Sequence, residues 1–459
     1  MKIALISTYE LGRQPFGLAS PAAWLKRRGH EVVCQDISRE ALSEEAIRNA
    51  ELIGFYVPMH TAARMTLQII APLRAMNPRA HLCVFGLYAQ MNEAAFRQAG
   101  VETILAAEFE EELVQLAAAL ESESNASAIE KLCNRETKSI PRLKFVVPDR
   151  SRLPVLKKYA HLVLPSGEHR TTGYTEASRG CKHVCRHCPI VPVYRGTFRI
   201  VERDVVLADI RQQVKAGAQH ITFGDPDFFN GITHALRIIE DLHAEFPELT
   251  YDATIKVEHL KKHREELKTL RDTGCLLVTS AVESLDDEVL RKLEKGHTRA
   301  DFLEVLNDCR RVGLALQPTF VPFTPWTTAA GYLDLLQTMN DLDLQESVPP
   351  IQLGIRLLIP ASSRLLELDE IREVCGDFDA VALVHPWKHC DGRMDDLAEE
   401  IQQIAASSEK RRESRRETFD RIWSAAQAAL GADNSPVPVH APILADRATV
   451  PYLNEPWYC

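Results

Sequence analysis

The chain has 459 residues, 45% hydrophobic and 26% charged, an ordinary globular balance with length for two or three domains that each bury a core. A net charge of -10 argues against a general nucleic-acid binder, and no stretch approaches the roughly 20 apolar residues that span a bilayer. The opening MKIALISTYE is too brief an apolar run for a secretory signal, so a cytoplasmic, soluble protein with reduced cysteines and no membrane partner is expected.

Residues 2–8 (KIALIST) read as a strand, GLASPAAWLKRRGH as a helix ending at Gly29, and EVVCQDI as a second strand. The alternation continues through AELIGFYVP, the helical TAARMTLQIIAPLRAMN, AHLCVFG, the helical MNEAAFRQAG, VETILAA and the helical EFEEELVQLAAALES. Five apolar runs with helices between them predict an α/β chain that begins with a Rossmann-like, doubly wound parallel sheet over residues 1–120. Residues 121–170 change texture, from the small polar ESESNASA to a stretch punctuated by prolines up to Pro165, and read as a linker with some packed pieces.

Strand-like runs then recur near 172–177, 219–224, 250–256, 275–282, 313–321 and 351–358, with helical patterns between them. Six βα units over residues 171–365 predict a partial (β/α)6 TIM-like barrel, whose active site lies at the C-terminal ends of its strands. Residues 366–459 form a helical region and tail. DDLAEEIQQIAASSEKRRESRRETFDRIWSAAQAAL is an amphipathic helix or helix pair whose charge run reads as a solvated face, and a proline-rich tail ends in PYLNEPWYC.

Most of the 11 cysteines stand singly in apolar contexts, as Cys83 and Cys275 do, and read as core residues. Cys181, Cys185 and Cys188 do not: TEASRGCKHVCRHCP crowds them into eight positions among Arg179, Lys182 and Arg186. Thiolates at C-x3-C-x2-C spacing wrap one soft metal centre, and the adjacent cations and loop amides favour the deprotonated ligands. Zinc would need a fourth ligand, for which His183 and His187 are at hand though not at finger spacing. A metal-free structural cluster fits the interleaved charges poorly. Three cysteines on a [4Fe-4S] cluster leave one iron open, which is what a catalytic cluster needs.

This loop strongly resembles that of the radical S-adenosylmethionine (SAM) superfamily, in which three cysteines at this spacing hold a [4Fe-4S] cluster and SAM chelates the fourth iron. His187 stands where the family often has an aromatic residue. The resemblance extends over most of residues 150–365. HITFGDPDFFNG places Gly224, Asp225 and Asp227 at the segment that holds the SAM amine, without the literal Gly-Gly-Glu. VTSAVESLDDEVLRKLEKGHT places Glu283 and Ser284 where ribose hydroxyls or the SAM carboxylate bind, and Lys256 joins the cofactor-binding set at the third strand end. Plainer readings stand beside these: Asp225 and Asp227 as turn formers, Lys256 pairing with Glu258, Glu283 and Ser284 at a helix start. QPTFVPFTPWTT and LLIPASSRL resemble the fifth and sixth strand ends.

The resemblance implies one-electron reduction of the cluster by a donor such as flavodoxin or ferredoxin, reductive cleavage of SAM, and hydrogen abstraction from a small-molecule or peptide substrate. The first 120 residues resemble the cobalamin-binding domain that precedes many of these barrels, through GFYVP, FGLYAQMNEAAFRQAG and AAEFEEEL. The cobalt-ligating Asp-x-His-x-x-Gly is replaced by TYELGRQPFG, and Gly86 stands alone where a glycine pair is usual. That leaves two outcomes: bound cobalamin, with methyl transfer to an unactivated carbon or phosphorus implied and ring rearrangement and sulfur insertion as rivals, or a cofactor-free scaffold that shapes the substrate entrance. The terminal NEPWYC resembles the tail of radical SAM proteins that continue with selenocysteine or cysteine and then Ala-Glu-Pro, which implies truncation at a selenocysteine codon and makes Cys459 a candidate catalytic thiol. The alternative from another class is a non-catalytic metal-binding or redox-sensing protein built on the same three cysteines.

Overall fold

A computed structural model describes residues 1–106, 108–122, 140–431 and 450–454. β1 (Lys2–Ser7), β2 (Glu31–Asp36), β3 (Leu52–Tyr56), β4 (His81–Phe85) and β5 (Thr103–Leu105) form one parallel sheet in the order β2-β1-β3-β4-β5. Strand alternation splits its apolar side chains between two cores. Ala4, Ile6, Ile53, Phe55, Leu82 and Val84 face one side, and Ile3, Leu5, Leu52, Cys83 and Phe85 the other. The helix His60–Met76 covers the first face; Phe16–Arg27 and Glu110–Glu121 cover the second. A helix over Glu44–Asn49, capped by the Ser43 hydroxyl, lies between β2 and β3 where the pattern predicted only strands. It buries Ile47 alone, too little for an apolar period to be visible.

The second sheet runs in the order Ala315–Phe320, Cys275–Glu283, Thr250–Thr254, His220–Phe223, His169–Thr175, His161–Val163 and Tyr452–Leu453. Short antiparallel strands β6 (His161–Val163) and β14 (Tyr452–Leu453) extend the edge beside β7 (His169–Thr175). β8 (Ser178–Gly180) pairs with β9 (Phe198–Ile200) to bracket the cysteine loop. β10 (His220–Phe223), β11 (Thr250–Thr254), β12 (Cys275–Glu283) and β13 (Ala315–Phe320) complete a five-stranded parallel half-barrel with β7.

The expected sixth strand is reduced to a bridge between Phe323 and Arg356, after a 3-10 turn over Pro350–Gly354. Adjacent Pro349 and Pro350 supply no N–H groups to a ladder, so the chain turns there before touching the sheet.

The C-terminal charged segment is a helix pair, Gly392–Arg411 and Arg415–Leu430, broken at Arg412 with φ 56° and restarted by a Ser414–Glu417 capping box. Its apolar stripe (Leu397, Ile401, Phe419, Ile422) joins the barrel core, and its charges face outward. Cys83 and Cys275 are buried, as their apolar contexts predict, and so are Cys34 and Cys309. No helix among the described residues is long and apolar enough to cross a membrane.

Candidate functional site

The cysteine loop leaves β8 at Gly180, where φ is 74° and a Cβ would lie 2.2 Å from the Tyr194 ring and 2.6 Å from the Thr197 carbonyl oxygen. Only glycine makes that turn. Cys181 and Cys185 are buried, Cys188 is half-buried, and none is in a disulfide. Asn230 braces the start of the loop: its Oδ1 accepts the Lys182 N–H at 3.3 Å and lies 3.8 Å from Cys181 Sγ. Arg186 anchors the far side. Its N–H donates to the Leu293 carbonyl at 3.0 Å, and its guanidinium reaches the Lys292 carbonyl at 2.8 Å and Glu294 at 2.7 Å.

The cations that act on the thiols therefore differ from the sequence expectation. Arg186 is engaged with Glu294, whereas Lys256 Nζ lies 3.9 Å from Cys185 Sγ and the buried Lys295 acts on Cys185 and Cys188. Burial pushes the Cys188 thiol up to about 12 and raises Cys181 as well. Three unpaired thiols on one anchored loop, with lysines beside them, suit a metal centre that converts them to thiolates; the donor set fits an iron–sulfur cluster.

The strand ends converge on this loop. Gly224 is required by close approach, since a Cβ there would lie 1.9 Å from Tyr174 Oη. Asp225 is buried and turned away from the thiols, accepting the Ala177 N–H at 2.9 Å and the Ser178 hydroxyl at 2.5 Å. It shapes the β7–β8 turn, as its plainer reading has it, and burial raises its carboxyl to about 7.

Asp227 reaches the loop. Its Oδ2 stands 2.6 Å from His259 Nδ1 and 3.4 Å from His183 Nε2. Burial works to raise it, but the two imidazoles outweigh that and hold it well below the usual carboxylate range. Lys256 does pair with Glu258, at 3.3 Å, while also touching Cys185.

Glu283 ends β12 with φ 70° and is buried between Lys295 (3.3 Å) and His187 (3.1 Å). Against the effect of burial, Lys295 and the His187 imidazole bring its carboxyl down to about 2. Ser284 accepts the Asp286 N–H, and Asp286, not Ser284, caps the following helix. Cys459 lies outside the described residues.

Sequence reasoning missed Lys295, His259 and Asn230 as site residues. The first and last sit inside segments already singled out, but their direction depends on the helix and turn that carry them.

The C-terminal edge of the first sheet faces the same loop. Arg179, two residues before Cys181, is buried among Glu110 (2.7 Å), Glu176 (2.7 Å) and Glu108 (3.3 Å). Its guanidinium also lies over the rings of Phe145, Phe16 and Phe109, 4.9 to 5.8 Å from their centroids. Tyr194 donates its hydroxyl to Glu108 at 2.9 Å. Burial raises Glu108 to about 7 although Arg179 opposes it. The cleft left between the first sheet and the barrel measures about 130 Å³ and is lined by Phe16, Tyr56, Phe109, Arg179 and Tyr194 among others.

Residues 175–325 match the family model of the radical SAM superfamily, which uses a [4Fe-4S] cluster and SAM. Over 209 residues the chain is 30% identical to the tRNA-2-methylthio-N(6)-dimethylallyladenosine synthase of Desulfosudis oleivorans, covering 43% of this chain and 44% of that one. The chain thus spans less than half the length of that curated relative. Among solved structures, the radical SAM methyltransferase TsrM from Kitasatospora setae, with tryptophan and a SAM analogue bound, aligns at TM-score 0.60 and 17% identity, covering 75% and 72% of the two chains. The cobalamin-dependent radical SAM enzyme OxsB, with aqua-cobalamin bound, aligns at TM-score 0.64 and 14% identity, covering 94% of this chain and 72% of its own. These likenesses extend the shared fold across the first sheet as well as the barrel. The anchored cysteine loop and strands β10 to β13 lie inside the segment that matches the radical SAM model.

Proposed function

We propose that the chain is a radical SAM enzyme that abstracts hydrogen from a small-molecule or peptide substrate. The observation that carries this reading is the convergence of three unpaired thiols on a loop held at the C-terminal ends of the barrel strands, with Lys256 against Cys185. Cys181, Cys185 and Cys188 would hold the [4Fe-4S] cluster and leave one iron for the amine and carboxylate of SAM. When bound, the cluster and SAM supply the reducing electron and the carbon radical that ordinary side chains cannot.

The chain's own residues position and insulate that chemistry. Asn230 and Arg186 fix the two ends of the loop, and Asp227 holds the His183 and His259 imidazoles beside Cys181. Lys256 and Lys295 favour an anionic centre and an anionic ligand at the same place, and the paired Glu283 keeps Lys295 charged in a buried setting. Packing of the first sheet over the loop restricts access of water to it. An electron carrier such as flavodoxin or ferredoxin would supply the reducing equivalent.

One observation favours a second reading, a non-catalytic metal or redox-sensing site. Ligand atoms of Cys181, His183 and Asp227 all lie within 4.8 Å of one another, so His183 could close the fourth position that SAM needs. Anaerobic reconstitution followed by SAM and a strong reductant separates the two. 5′-Deoxyadenosine from the wild type but not from Cys185→Ala supports the enzyme; none from a protein fully loaded with [4Fe-4S] supports the closed site.

A further inference from the structure

We infer that this chain binds no corrinoid, although its fold is shared with structures that hold cobalamin. A corrin set between the first sheet and the barrel would need a slot along the C-terminal ends of β1, β3, β4 and β5, open toward the cysteine loop. That slot is filled by the chain itself.

Tyr56, the last residue of β3, lies flat against Gly17: a Cβ on Gly17 would fall 2.2 to 2.4 Å from its ring carbons. Tyr56, Phe85 and Phe109 form a closed aromatic cluster, with ring centroids 4.7 to 5.9 Å apart, under the helices Phe16–Arg27 and Glu110–Glu121. The glycines that would admit a macrocycle, Gly17, Gly86 and Gly180, are each taken up by a tyrosine or a backbone oxygen of this chain.

The opposite wall is equally committed. Tyr194 packs on Gly180 and bonds Glu108, and Arg179 is saturated by three carboxylates. Insertion of a ligand there would strip a buried cation of its partners, leaving an uncompensated charge inside the protein. The remaining 130 Å³ falls short of the roughly 300 to 1,000 Å³ typical of small-molecule sites, and a corrin with its nucleotide tail is larger than most such ligands.

The loop after β1, where a cobalt ligand would be sought, packs against the chain itself, although Glu10 Oε2 and Arg13 Nε are buried without a hydrogen-bond partner. Arg13 lies over the Tyr174 ring at 5.0 Å, Gln14 donates to the Pro154 carbonyl and accepts from Arg150, and Glu10 is buried. The first sheet instead clamps the cysteine loop through Glu108, Glu110 and Arg179, and its apolar rings seal that contact.

The test is binding of hydroxocobalamin, read independently of SAM cleavage so that failure of the enzymatic reading leaves it intact. Full-length, cluster-loaded protein is incubated anaerobically with excess hydroxocobalamin and passed through gel filtration, and retained corrinoid is quantified as the dicyano form. The expected result is retention at the level of a non-binding control protein, with a melting temperature unchanged by the ligand. Retention near one equivalent per chain, or a melting temperature that rises with cobalamin concentration, would overturn the inference.

Discussion

Arg179 and Glu110 form a buried two-pronged ion pair, with contacts of 2.7 and 3.0 Å, that ties the cysteine loop to the first turn of the helix Glu110–Glu121. The pair is 69 residues apart in sequence and joins β8 to that helix. Because Glu108 and Glu176 share the same guanidinium, Arg179→Met removes that cation from the buried Glu108 and Glu110 and from the half-buried Glu176. Removing one partner of a buried pair costs about 3 to 5 kcal/mol. Urea unfolding of the apo-protein should show a loss in that range for Arg179→Met, against a smaller loss for Arg179→Lys, which keeps the charge but not the fork.

The three loop cysteines and the core cysteines should separate cleanly. If the loop holds the cluster as proposed, Cys181→Ala, Cys185→Ala and Cys188→Ala each remove one ligand, so iron per chain after anaerobic reconstitution should fall severalfold and SAM cleavage should be abolished. Cys275→Ala, in the barrel core and away from the loop, retains wild-type iron. Iron analysis with EPR of the reduced protein checks this; full iron in a loop variant would move the cluster elsewhere.

Asp225 gives the fold a pH dependence of known sign. Its folded carboxyl titrates near 7, raised chiefly by burial, against an ordinary value of 3.8. A raised carboxyl binds more protons in the folded than in the unfolded state between those values. Its contribution to stability is therefore fully present below about pH 4 and is lost as pH rises through about 7. Asp225→Asn should remove that part of the slope, at most about 1.4 kcal/mol per pH unit. Urea titrations of both proteins between pH 5 and 8 test it, and an equal slope in the two would place the titration elsewhere.

Much of the fold is legible in the amino-acid pattern. The alternation of β1 to β5 exposes both cores because each strand buries both faces, and the cysteine spacing needs no tertiary information. The strand ends are harder. Asp225 and Asp227 stand two residues apart, yet one turns back to Ala177 and Ser178 while the other meets His259, and nothing in their spacing distinguishes the two directions. The sixth strand does not form because 351–358 is apolar but Pro349 and Pro350 withhold ladder donors. β6 and β14 are too short for a period-2 signal, and their pairing joins segments far apart in the chain. The acidic run EFEEEL reads as a helix start, which it is; that two of its carboxylates answer Arg179 across the sheets is a property of packing alone.

Lys256 should tune the electron affinity of the site it borders. Its ammonium is buried 3.9 Å from Cys185 Sγ, where a positive charge stabilises the reduced, more negative centre over the oxidised one. Lys256→Met removes that charge, so the midpoint potential of the reconstituted cluster should fall. At an effective dielectric near 20, one charge at this range is worth on the order of 180 mV. Glu258 sits 3.3 Å from the same ammonium but is more exposed, so Glu258→Gln should move the potential upward by less. An EPR-monitored redox titration of the three proteins reads both signs at once. Potentials that stay together would mean that the Lys256 charge is screened from the cluster and that Lys295 alone sets the local field.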